Sequence, residues 1–219
     1  MNNKNAFWQA LIFTIIIFVV GFIFGFFLEV FRGDKMELVL LNSEINLLDE
    51  QLRANTGDYF NITCNETKEG LFNFADRIYY EAIKLEKYEN SERFSETLFL
   101  IHKRYDLLRM MLWSESIKAK KECTSDFHTV VYLYEYDIED LGKQSKQVFF
   151  SRLLFDLKTK NPDKILLIPL AVNTELDSVN LSVRNYNIST YPVIIVDEKK
   201  IFIDVIKFDD FEREVLGSK

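Results

Sequence analysis

Between residues 34 and 122 the apolar positions recur at a period near 3.6, the spacing that gives a helix one hydrophobic face. Leu38, Leu41, Ile45, Leu48 and Leu52 make one stripe. Leu71, Phe74, Ile78, Ala82 and Leu85 make a second, and Phe94, Leu98, Ile101, Tyr105, Leu108 and Leu112 a third. Asn55-Thr-Gly-Asp58 separates the first helix from the second, Glu89-Asn90 turns the second into the third, and Ser91 is placed to N-cap the third. The simplest reading makes the stripes the buried seam of a three-helix unit. The rival reading pairs the first stripe with another copy as a coiled coil, although five apolar positions fall short of the three to four heptads that pattern asks for.

Past residue 125 the period changes. Thr129-Val-Val-Tyr-Leu-Tyr-Glu-Tyr136 and Ile165-Leu-Leu-Ile-Pro-Leu-Ala-Val172 are short apolar runs of strand length, separated by a long helical stretch. A short helical segment follows and ends near Tyr186. Tyr191-Pro192 then leads into Val193-Ile-Ile-Val196, a turn at Asp197-Glu-Lys-Lys200, Ile201-Phe-Ile203 and a last helix over residues 209–216. The order is strand, helix, strand, helix, hairpin, helix.

That order, with a proline opening the hairpin, resembles a thioredoxin domain over about two-fifths of the chain, residues 125–217. In the thioredoxin family the first of these strands ends in a Cys-x-x-Cys turn capping the next helix. A cis X-Pro bond opens the hairpin strand and lies against that dithiol. The resemblance therefore implies a cis bond at Pro192, with Asn185-Tyr-Asn-Ile-Ser-Thr190 as its approach. It also implies that Ile138 and Leu141 stand where the cysteines would be, with Asp140 between them and Gln144 after. Neither side chain forms a thiolate, so dithiol exchange at this turn is excluded. The family's groove for extended peptide would be bordered by Asp137, Asp140 and Tyr191. Helical segments followed by such a domain also resemble uncharacterised membrane-anchored thioredoxin-like proteins of archaea.

At the other end of the chain, residues 7–28 carry no charge over 22 positions, ~33 Å of helix against a hydrocarbon core of about 30 Å. A cleaved signal would have a shorter apolar core followed by small residues, whereas this run ends Phe-Leu-Glu-Val-Phe, so an uncleaved single anchor is expected. Gly21 and Gly25 would allow two anchors to approach closely, which leaves a homodimer open. Lys4 on one flank and Arg32 and Lys35 on the other leave the positive-inside rule undecided. The sequons Asn61-Ile-Thr63 and Asn65-Glu-Thr67, and the cysteines, favour a C-terminal part outside the cytoplasm. Asn180 and Asn187 head two further sequons inside the folded domain. The expected organisation is tail and transmembrane anchor over 1–31, helical region over 34–123, and thioredoxin-like domain over 125–217.

Cys64 and Cys123 are the only cysteines in the 219 residues. They flank the second and third helices, so an antiparallel pair of those helices brings both to one end and favours a structural disulfide. Two free buried thiols and a redox-active pair stay open beside it; Lys118, Lys120 and Lys121 stand near Cys123.

The net charge of −7 has no basic stripe to set against it, which argues against nucleic acid as a partner. His102 and His128 have no ligand-type residues at zinc spacing, and neither a nucleophile motif nor a phosphate-binding glycine loop is present. No metal or cofactor is expected. Asp137, Glu139 and Asp140 read as solvated acids capping a helix N-terminus. Three classes of function follow: a membrane-anchored, non-catalytic binding or scaffolding protein with a peptide or protein partner, a thiol-disulfide oxidoreductase working through Cys64 and Cys123, and a structural membrane protein that self-associates. The first is favoured, and enzymatic activity is not expected.

Overall fold

The computed structural model describes residues 3–56, 60–86, 95–123 and 126–217. It has a mixed α/β architecture, and the chain divides into two compact units, Met1–Asp49 and Glu50–Lys219. The first unit belongs to a single helix, α1 (Asn3–Thr56), which carries the apolar run Phe7–Leu28, long and apolar enough to cross a membrane or to serve as a signal. The helix passes residues 31–34 without a break.

The second unit contains the end of α1 and then α2 (Cys64–Glu86), α3 (Ser95–Glu122), β1 (His128–Tyr134), α4 (Leu141–Lys160), β2 (Ile165–Ala171), α5 (Asp177–Asn185), β3 (Val193–Val196), β4 (Lys200–Phe202) and α6 (Phe208–Leu216). The strands form one sheet in the order β2-β1-β3-β4, parallel between β1 and β2 and antiparallel elsewhere. Every residue of β3 is buried, as is the run 129–133 of β1, because helices cover both faces. Val130 and Tyr132 face Phe150, Leu153, Leu154 and Leu157 of α4 and Phe211 and Val215 of α6. By strand alternation Val131 and Leu133 face the other way, the side of α2, α3 and α5. There α3 packs on β2 and α5, and α2 on α3 and β2.

The second and third stripes are core where they are described: Leu71, Phe74, Ile78, Leu98, Ile101, Tyr105, Leu108 and Leu112 are buried and Ala82 half-buried, while the side chains of Leu85 and Phe94 lie outside the described residues. The first is not, which corrects the three-helix seam. Leu38, Leu41, Ile45, Leu48 and Leu52 are each about half exposed or more. At the end of α1 the side chains that meet α2 and α3 are polar instead. Glu50 is fully buried and accepts from Arg53 Nε at 2.7 Å and Arg77 Nη2 at 3.2 Å, and Arg53 also bonds Glu115 of α3. Gly70 makes room for this arrangement, since a Cβ there would lie 2.9 Å from Arg53 Nη1. Burial, and then the facing Glu50 carboxylate, push Glu115 up to about 8.

Cys64, the first residue of α2, is bonded to Cys123, one residue past α3, with Cα atoms 5.7 Å apart. Thr63 and Glu66 cap α2 reciprocally: Thr63 N donates to Glu66 Oε2 at 2.8 Å and Glu66 N to Thr63 Oγ1 at 3.3 Å. Asn61 and Asn65 are both exposed on this segment. The expected turn at Glu89-Asn90, the cap at Ser91 and the loop at 57–58 lie outside the described residues.

Candidate functional site at the open end of the sheet

β1 ends at Tyr134, and the next two residues are held by amide side chains acting as substitute strands. Gln147 Oε1 accepts from Glu135 N at 2.9 Å while its Nε2 donates to Glu135 O at 3.1 Å. Asn173 does the same for Tyr136, with both bonds at 2.7 Å. The backbone then turns through Asp137 in the left-handed region, φ 51°, a conformation aspartate tolerates better than most residues. Asp140 closes the turn as the N-cap of α4, accepting from Lys143 N at 2.9 Å. That bond, and one from Gly142 N, hold its carboxyl below the usual carboxylate range.

Ile138 is half-buried in this turn, and Leu141 is 76% exposed at the first position of α4. Leu141 is thus a free apolar surface, not a residue packed into the helix start. Lys143 Nζ bonds Glu135 at 2.8 Å. Among the described residues the side chains of Asp137 and Glu139 have no hydrogen-bond or ion-pair partner.

The hairpin approach comes in beside this turn. Leu133 pairs with Val193, so Pro192 follows directly opposite the end of β1. Pro192 is buried and the Tyr191–Pro192 bond is cis. Tyr191 is half-buried; burial, and then the Glu135 charge, raise its phenol above the ordinary value. Among the described hydrogen bonds none uses the backbone of residues 188–191. That leaves a short, partly exposed segment, bent at Thr190 and Tyr191, whose N–H and C=O groups are not used within the chain.

Beneath the turn lies a polar network that sequence reading missed. Asp106 of α3 is fully buried and accepts from Arg109 Nη1 at 3.3 Å, Ala171 N at 3.3 Å and Thr174 Oγ1 at 3.5 Å. Burial outweighs these partners and pushes its carboxyl up to about 6. The His102 ring lies 4.3 Å from that of Tyr136, and its Nδ1 is buried without a partner. Burial, and then Arg109, take His102 down to about 4, so the ring is neutral at physiological pH. The network fixes Tyr136 and the end of β2 from below. A helical period marks Ile101, Tyr105 and Leu108 as core, but nothing in the local sequence shows which strand ends Asp106 and Arg109 reach.

The opposite end of the sheet is closed. The turn between β3 and β4 places both Asp197 (φ 51°) and Glu198 (φ 58°) in the left-handed region. Asp197 accepts from His128 Nδ1 at 2.7 Å, from Thr129 N at 3.0 Å and from Lys120, which also bonds Thr129. Glu198 accepts from Trp113 Nε1 at 3.1 Å and pairs with Lys120 at 3.6 Å. Burial alone would raise Asp197; the His128 and Lys120 bonds hold it at about 2. His128, read in the sequence as lacking ligand-type neighbours, thus has a carboxylate partner brought from the far hairpin, and that contact pins a turn.

No group of three or more metal-ligating side chains occurs among the described residues. A groove of about 400 Å³ between α4 and α6 is lined by Phe149, Arg152, Leu153, Val205, Ile206 and Phe208, among others. None of its lining residues comes from the turn or from the approach to Pro192. No family model, curated protein or solved structure matches this chain.

Proposed function

We propose that this chain is a single-pass, membrane-anchored binding protein of thioredoxin-like type whose C-terminal part lies outside the cytoplasm. It holds an extended polypeptide at the open end of its sheet without thiol chemistry. The observation that carries this reading is the unpaired backbone at 188–191 lying beside a turn that presents the exposed Leu141 and the free acids Asp137 and Glu139. A peptide strand laid there would use main-chain hydrogen bonds for affinity, and the leucine and flanking acids for preference. Ile138 and Leu141 supply area and no thiolate, and the one disulfide, Cys64–Cys123, belongs to the helical pair. That disulfide and the exposed sequons at Asn61 and Asn65 support the extracytoplasmic orientation. The uncharged run Phe7–Leu28, ending without a small-residue cleavage pattern, supports an anchor over a cleaved signal.

The test uses the full chain in lipid nanodiscs and a fluorescent, unfolded polypeptide that contains no cysteine. Saturable binding is expected, unchanged by blocking free thiols and weakened at least fivefold by Leu141→Asp. Insulin reduction by the same sample should stay at the buffer rate. Binding that ignores Leu141→Asp, or turnover lost on Cys64→Ser with Cys123→Ser, would overturn the reading in favour of another surface or of redox catalysis.

A further inference from the structure

Helix α1 is amphipathic the wrong way round for a helix that serves only its own chain. Its last turns face α2 and α3 with Glu50 and Arg53, whose partners are Arg77 and Glu115. Its apolar stripe is left to solvent, with Leu38 58%, Leu41 49%, Ile45 63%, Leu48 53% and Leu52 68% exposed. The wheel of 3.6 residues per turn separates the two faces by roughly 130°. Burying an ionic face while exposing five large aliphatic side chains is unfavourable for a lone chain, so the stripe calls for a partner.

We propose that the 38–52 stripe is a parallel coiled-coil seam between two copies of this chain. The steps between the five positions are three, four, three and four residues, which makes Leu38, Ile45 and Leu52 a positions and Leu41 and Leu48 d positions of a heptad. Ile45 at the central a with leucine at both d positions matches the combination that favours two parallel strands, whereas the outer a positions, Leu38 and Leu52, do not follow it. The occupant follows from the helix itself, and here the inference rests on the anchor reading. Copies held by Phe7–Leu28 in one membrane leave it in the same direction and at the same height, so identical stripes meet in register at high effective concentration. That confinement is needed, because the seam is only ~21 Å long. Charge does not assist: Glu44 at g and Asp49 at e are both acidic and face one another across a parallel pair.

The seam is distinct from the Gly21/Gly25 pair. A Cβ at either glycine would meet nothing within 4 Å. On a straight helix that pair lies roughly 160° round from the leucine stripe, so one two-helix contact does not use both.

Site-directed cross-linking of the full chain in lipid vesicles tests this, with single cysteines at Leu41, Ile45, Leu48, Asn46 and Leu47 and a mild oxidant. Dimer yield at 41, 45 and 48 should exceed that at 46 and 47 at least fivefold and should persist when the lipid is diluted tenfold. Leu41→Glu with Leu48→Glu should reduce cross-linking through Ile45→Cys at least tenfold while leaving the circular dichroism spectrum unchanged. A flat profile, a yield falling in proportion to lipid dilution, cross-linking only through cysteines at Gly21 and Gly25, or an adduct with the mass of a different protein would each overturn the seam. Alkaline carbonate extraction of the same vesicles reads the anchor separately. Release of the chain would count against the anchor, and retention with a flat profile against the seam alone.

Discussion

The two ends of the sheet are built from similar parts and finished in opposite ways. Each has a turn with aspartate in the left-handed region and a neighbouring acid, Asp137 and Glu139 at one end, Asp197 and Glu198 at the other. At the hairpin end both acids are paired: His128, Thr129 and Lys120 on Asp197, Trp113 and Lys120 on Glu198. The disulfide joins the helical pair just before β1 begins. At the turn end Gln147 and Asn173 satisfy the backbone as far as Tyr136, and past it the free acids, Leu141 and the 188–191 backbone are left open. A conformation that costs of order 1–3 kcal/mol persists only where its surroundings impose it. The same unusual backbone therefore marks a fastening at one end and an exposed edge at the other, and the partners of each turn separate the two.

The largest effects are expected at the closed end. Cys64→Ser with Cys123→Ser removes a cross-link spanning 59 residues and should lower unfolding stability by about 4 kcal/mol on the loop-entropy model, read by urea denaturation. Asp197→Ala removes the acceptor of three bonds and puts alanine at positive φ, which should cost about 3 kcal/mol. Loss of less than about 1 kcal/mol would mean that the cluster does not fasten the hairpin.

Stability against pH should separate Asp197 from Asp106 by sign. Asp197 is held low, at about 2 against an ordinary 3.8, so its contribution is present above pH 3.8 and disappears as pH falls through about 2. Asp106, beneath the open turn, is held high, at about 6. Its contribution is complete below pH 3.8 and disappears as pH rises through about 6. The change should be about 1 kcal/mol at Asp197, where solvent screens the half-exposed carboxylate, and about 3 kcal/mol at most at the buried Asp106. Asp197→Asn should flatten the acid limb. His102, held down to about 4, gains stability over the window in which Asp106 loses it, so the Asp106 loss is read as the difference between the wild-type and Asp106→Asn profiles from pH 4 to 6. Glu115, held up to about 8, continues that loss to higher pH and is removed separately by Glu115→Gln. The smallest effect is expected at the open turn itself. Leu141→Asp should change stability by less than about 0.5 kcal/mol, because the side chain touches solvent and little else.

What the sequence revealed follows the range of the forces involved. The strand runs at 129, 165 and 193 are continuous apolar stretches of strand length, and burial on both faces reproduces them. The stripes through Leu71 and Leu98 are periodic, and burial reproduces them because a period of 3.6 is the signature of a helix face. The first stripe has the same period and a different fate, since periodicity shows that a face is apolar and not what covers it. The polar contacts were out of reach for a related reason. His128 and Asp197 stand 69 residues apart and Arg53 and Glu115 62 apart, joined by topology with no local signal. In the turn, Asp140 as a cap was readable from its place before the helix, whereas the clasps by Gln147 and Asn173 depend on where α4 and the end of β2 come to rest.

Amide hydrogen exchange tests most directly the proposal that polypeptide binds at the open backbone of 188–191 without thiol chemistry. The full chain in nanodiscs should show fast exchange at Ile188, Ser189, Thr190 and Tyr191. Adding a saturating cysteine-free unfolded polypeptide should slow that segment and residues 137–141 at least tenfold and leave the Asp197-Glu198 turn unchanged. Protection of 188–191 already present without the polypeptide, or protection on binding confined to the groove between α4 and α6, would contradict it.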